Sequence, residues 1–217
     1  MRKESDHITI SNIGLKKGAP CITKDIFERA DEMIAEFELD HKKALHARLI
    51  FEETAGMLSN IAGEFTADVW FEENNHNFSL KLKAKTRMDL DKKNDLLSVA
   101  SDKKNTKVKG FMDKIGDIIQ NGILNYDYVM NLSQEYAGVP VNYGALGIYG
   151  SSDALLQSGV MWSLSSYKDS LSEEMEAEGG VKEAWDELER SIVASIAKDV
   201  LVGVKGNTFE MTILCDK

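Results

Sequence analysis

The run from His46 to Asn60, HARLIFEETAGMLSN, constrains this chain more than any other stretch. Leu45, Leu49 and Phe51 lead on to Leu58 and Ile61, a spacing that leaves an apolar stripe along a helix. Glu52 and Glu53 place a carboxylate pair where that stripe meets the polar face. The period then changes abruptly. In ADVWFEENNHNFSLKLKAK, Phe78, Leu80, Leu82 and Ala84 alternate with Ser79, Lys81, Lys83 and Lys85, which is the pattern of a strand buried on one side. The Asn74–Asn77 turn, rich in residues that tolerate positive φ, makes the segment a hairpin. That alternation, one face buried against helices and one wet, predicts an antiparallel sheet with helices on one side.

Composition narrows the function. The chain has 217 residues, with 43% hydrophobic and 29% charged, an ordinary globular balance and no disordered signature. A formal net charge of −10 argues against a protein that coats nucleic acid by neutralising phosphates. It leaves room for a bound nucleotide, which needs only one local cluster of lysines and backbone N–H groups. No apolar run reaches the roughly 18 residues needed to span a bilayer, and MRKESDHITIS has no apolar core of a secretory signal. Cys21 and Cys215 stand at opposite ends without a CxxC spacing, as expected of reduced cysteines in a cytoplasmic protein. His41 and His46 lie five apart, on different faces of a helix, so no histidine is assigned to a metal.

In chain order, HITISNIG reads as a short strand. Thr23 is placed to cap a helix from Lys24 to Glu38 with Ile26, Phe27, Ala30, Met33, Ile34 and Phe37 on one face. Asp40 caps the next helix, the one carrying Glu53, and the two should pack antiparallel. Strands follow at Ala67–Glu72 and Asn77–Lys85. Asp89 to Thr106 is charged and weakly periodic, and Lys107 to Ile123 is amphipathic. The segment 136–159 holds five glycines in GVPVNYGALGIYGSSDALLQSG and reads as a lid or a partner-facing insert within one domain spanning 1–217. Helices are expected at Trp162–Leu171 and Val181–Ala197, with a closing hairpin of Val200–Val204 and Phe209–Leu214 about Gly206-Asn207.

This order resembles the histidine-kinase-like ATPase (GHKL, or Bergerat) family, especially its anti-sigma-factor and serine-kinase branch. KDIFERADEMIAEFELDHKKALHARLIFEETAGMLSN with ADVWFEENNHNFSLKLKAK is similar to that branch's first helix, N-box helix and first hairpin. SIVASIAKDVLVGVKGNTFEMTIL is similar to its closing helix and hairpin, with GNTF where a Gly-Thr-x-Phe type signature is common. The resemblance implies an α+β fold, a two-layer sandwich of a mixed, mostly antiparallel sheet with helices on one face. It implies ATP or ADP with Mg²⁺ as ligands, and it carries Glu53 over as the catalytic carboxylate. Gly56, Asp89, Lys103, Lys104 and Asn207 are the nucleotide-binding candidates it suggests.

The chain departs from the family where the chemistry sits. Four residues after Glu53, where the family has a Mg²⁺-holding Asn, stands Met57, a thioether without affinity for a hard cation. The Asp-x-Gly-x-Gly box that reads adenine is replaced by AKTRMDLDKK, and GALGIYG lacks the Gly-x-Gly spacing of the phosphate box. For Glu53 the plain alternative is a helix-face carboxylate paired with Arg48 or Lys42; for Lys103 and Lys104 it is a solvated loop. The expectation is a cytoplasmic regulatory protein, catalytically weak or inactive, that works through contact with another protein or a second copy of itself. It touches neither nucleic acid nor membrane and retains at most residual ATP or ADP binding. The alternative is an active ATP-dependent anti-sigma-type serine/threonine kinase using Glu53.

Overall fold

Strand register decides which side chains meet. In the computed structural model, which describes residues 2–16, 19–61, 63–74, 77–87, 110–135, 160–175 and 182–216, seven strands form one open sheet. They are β1 (Lys3–Glu4), β2 (Ile8–Ser11), β3 (Glu64–Glu73), β4 (Asn77–Arg87), β5 (Val160–Ser163), β6 (Asp199–Lys205) and β7 (Thr208–Asp216). The order is β1-β3-β4-β7-β6-β5, with β2 also paired to β3, and every pairing among the described residues is antiparallel. The sheet is therefore antiparallel where it is described, not mixed. The two long hairpins, β3–β4 and β6–β7, join through β4 and β7 at its centre.

The register sets Leu82 and Ala84, which the alternation singled out, beside apolar residues of the neighbouring strands. Ile10, Ala67, Ala84, Phe209 and Val204 lie side by side across five strands. Two residues along each strand comes a row of Ile8, Val69, Leu82, Met211 and Val202. All ten are buried to 1% exposure or less. The alternate residues form the polar face, where Thr9 donates to Asp68 at 2.7 Å and Lys83 pairs with Glu210 at 2.7 Å. At its edge Glu72 sits between Arg2 (2.7 Å) and Lys81 (2.9 Å). Burial alone would raise the Glu72 carboxyl, but the hydrogen bonds and charges of Lys81 and Arg2 outweigh it and hold it below the usual range.

Helices supply the second layer, and their buried residues belong to the same core as the apolar sheet face. Among the described residues they are α1 (Lys24–Ala35), α2 (His41–Ser59), α3 (Phe111–Glu135), α4 (Leu164–Met175), α5 (Lys182–Arg190) and α6 (Ile192–Ile196). On α1, Ile26, Ala30, Met33 and Ile34 are buried at the spacing expected, with Phe37 just beyond. An aromatic cluster ties this layer to the sheet: the Phe71 ring lies 5.4 Å from Phe78 and 6.3 Å from Phe51, and Phe37 is 5.2 Å from Phe78. Each such pair adds about 0.5–1.5 kcal/mol beyond the area it buries.

Three expectations change. Trp162 belongs to strand β5, paired with Val202, and the helix starts only at Leu164, where the Ser163 hydroxyl accepts from Ser166 N. The expected helix Val181–Ala197 is two helices, because Ser191 takes an extended backbone (φ −78, ψ 124) and its hydroxyl caps α6 by accepting from Ala194 N at 3.1 Å. Thr23 does stand at the N-cap of α1, but its hydroxyl donates to Asp25 instead of capping a backbone N–H. The insert 136–159 lies outside the described residues. Both cysteines are free, and no helix among the described residues is long and apolar enough to cross a membrane.

Candidate functional site

The start of α2 is built to hold its side chains in place. Glu38 adopts φ 52, in the left-handed region, and turns the chain sharply out of α1. Asp40 then caps α2: its carboxylate accepts from Lys43 N at 2.9 Å and meets Lys43 Nζ at 3.2 Å. The Lys43 backbone and side-chain hydrogen bonds hold the Asp40 carboxyl below its usual range. Beyond this cap, Lys42, Lys43 and His46 turn towards a cavity of about 260 Å³.

Four separated segments close that cavity. Phe78 comes from the start of β4, Ser195 and Ile196 from α6, and Cys215 and Asp216 from the end of β7. Leu39 and Ala47 complete an apolar floor. Cys215 is 8% exposed, and burial, with the neighbouring Asp216 charge, pushes its thiol up to about 12. It is therefore a neutral, apolar wall at physiological pH and not a nucleophile. Asp216 pairs loosely with Lys198 at 3.5 Å. The Ser195 hydroxyl donates to Ile192 O at 2.8 Å. Among the described residues Lys42 has no carboxylate partner.

The candidates taken from the family resemblance lie elsewhere. Glu53 is exposed on the outward side of α2, roughly 16 Å along the helix from Lys42 at the usual rise. Arg48 does not pair with it: the guanidinium goes to Glu52 (2.7 Å), Asp31 (2.5 Å) and the Phe27 carbonyl (2.8 Å). Gly56 is exposed, and a Cβ there would meet nothing within 4 Å. Asn207 sits in the β6–β7 turn, where its carbonyl accepts from Thr86 N at 2.8 Å. That turn and the cavity occupy opposite ends of β7, about 26 Å apart at the usual strand rise. The Asn207 end is also where α2 runs out and Asn60 Nδ2 donates to Asp113 Oδ1 at 3.0 Å. Asp89, Lys103 and Lys104 lie outside the described residues.

Met57, four residues after Glu53, stands where the resemblance would put a metal ligand. Its side chain is 2% exposed and packs beneath α3, with its Cγ 3.5 Å from where a Cβ on Gly116 would stand. A thioether sealed into the core offers no oxygen to Mg²⁺, so the residue in this position does not fit the ion. Among the described residues no cluster of three or more His, Cys, Asp or Glu is placed to hold a metal.

The cavity residues Lys42, Lys43, His46, Ser195 and Cys215 carry no motif, and only the Asp40 cap was visible in advance. What joins them is the pairing of β4 with β7 and the docking of α6 beside α2, contacts between segments more than a hundred residues apart. Compared with models of protein families, with curated proteins and with solved structures, the chain finds no match in any of the three.

Proposed function

We propose that this chain is a regulatory protein on a histidine-kinase-like ATPase scaffold, acting through contact with another protein and not through metal-dependent phosphoryl transfer. The scaffold is supported by the order of parts: strand, helix, N-box-like helix, hairpin, then after the insert a strand, further helices and a closing hairpin in the same sheet. The single observation that carries the functional half is the fate of the N-box pair. Glu53 stays at the surface, whereas Met57, one turn on, is covered by α3. Phosphoryl transfer on such a scaffold needs a metal between side chain and phosphates, and that ligand has become part of the core. Residual ATP or ADP binding belongs to the same proposal, with Gly56 and Asn207 at one end of the molecule.

Titration calorimetry of the purified chain with ATP and ADP, each with and without Mg²⁺, tests this together with a turnover assay. The expected result is no gain in affinity from Mg²⁺ and no hydrolysis or phosphotransfer. Robust Mg²⁺-dependent turnover that disappears in Glu53→Gln would overturn it in favour of the active kinase.

A further inference from the structure

We propose that the cavity at the start of α2 is a binding site for a small organic carboxylate with an apolar or aromatic body. The inference goes beyond the regulatory reading, because the cavity lies at the opposite end of β7 from Asn207 and uses none of the nucleotide candidates. Its size sets the scale. At about 260 Å³ it falls just under the range of roughly 300–1,000 Å³ typical of drug-sized ligands, so it suits a small metabolite.

Chemistry sets the class. The floor is Leu39, Ala47, Phe78, Ile196 and the neutral Cys215 thiol, which favours an apolar body. At the rim the charges largely cancel in pairs. Lys43 is engaged by Asp40, and Asp216 leans on Lys198. Lys42 is left over among the described cations of the rim, with His46 one turn along the helix. One uncompensated cation above an apolar slot matches one negative charge.

The same geometry disfavours a phosphate. An anion of higher charge would seek the backbone N–H groups at the start of α2. Asp40 already occupies that place, with its carboxylate on Lys43 N at 2.9 Å, and would repel a dianion. A monoanionic carboxylate paired with Lys42 does not need those N–H groups.

The test uses the full chain, with phenylacetate, 2-phenylacetamide and inorganic phosphate titrated in turn and backbone amide shifts followed by NMR. Phenylacetate should shift the amides of α2's first turns, of α6 and of the end of β7, and should saturate. The uncharged amide should bind at least ten-fold more weakly, as should phenylacetate on Lys42→Gln, whose exposed position leaves folding intact. Ser195→Tyr, which narrows the mouth from the other wall, should weaken phenylacetate while keeping the dispersed spectrum of a folded chain. The proposal fails if phosphate binds as well as phenylacetate, or if the amide matches the acid. It also fails if Lys42→Gln leaves affinity unchanged, or if no saturable shift appears at millimolar phenylacetate.

Discussion

Substituting Gly122 by alanine probes how α3 sits on the sheet. In a helix interior the exchange alone favours the folded state by about 0.8–1 kcal/mol. The new Cβ, however, would stand 3.1 Å from Val204 Cγ2, 3.3 Å from its Cβ and 3.5 Å from Cγ1. Val204 cannot step aside: it is 1% exposed, branched at Cβ and fixed in the β6 register opposite Phe209. Relief must come from shifting the helix off the strand, and overpacking of this kind costs about 1–3 kcal/mol. The net is a loss of about 1 kcal/mol, or roughly 2–4 °C in a domain of this size. Gly116, on the same helix, supplies the control. There a Cβ meets only the flexible Met57 Cγ at 3.5 Å, so Gly116→Ala should stabilise by about 0.5–1 kcal/mol. The two variants share the same change in the unfolded chain, so their difference reports the folded contact alone. Urea unfolding followed by circular dichroism measures both, and in a double-mutant cycle the loss in Gly122→Ala with Val204→Ala should fall short of the sum of the single losses by at least about 0.5 kcal/mol. If Gly122→Ala proves as stable as Gly116→Ala, α3 does not rest on β6 as described.

Phe71→Ala should cost about 3–5 kcal/mol, because the ring is fully buried among Phe37, Phe51 and Phe78; a chemical denaturation midpoint that barely moves would contradict that packing. Ser191→Ala removes the cap of α6 and should cost about 1 kcal/mol, whereas Ser191→Asp should keep nearly all of it, and equal losses in both would show that the cap is irrelevant. Glu72 has its folded pKa lowered, so its ion pairs contribute stability that is complete above the unfolded value of about 4.3 and is lost as the pH falls through the folded one. Thermal melts from pH 6 down to pH 2 should therefore show a shallower acid decline in Glu72→Gln than in the parent, and identical slopes would count against the pairing.

Much of the architecture was legible in local patterns. Alternation in β4 named the residues that face the core, and the cap at Asp40 fixed the start of α2 to the residue. These signals survive because period and capping are properties of adjacent residues, whatever the rest of the chain does. Trp162 escaped for the opposite reason. A four-residue strand carries too little period to announce itself, and its pairing with Val202 comes from forty residues away. Ser191 looked like one more position in a helix because a serine inside a helix and a serine capping the next are the same letter in the sequence.

The candidate site divides the same way. The family resemblance drew attention to Glu53 and to the thioether at Met57, four residues on. Only tertiary structure could decide that α3 covers the second and leaves the first in solvent. The cavity was wholly a tertiary matter. Lys42 and Cys215 are 173 positions apart in the chain, and they share a wall because β4 pairs with β7 and brings the end of the chain to the start of α2. Sequence order records neighbours along the backbone, whereas a binding site is made by which strand edges and helix faces exclude water from each other.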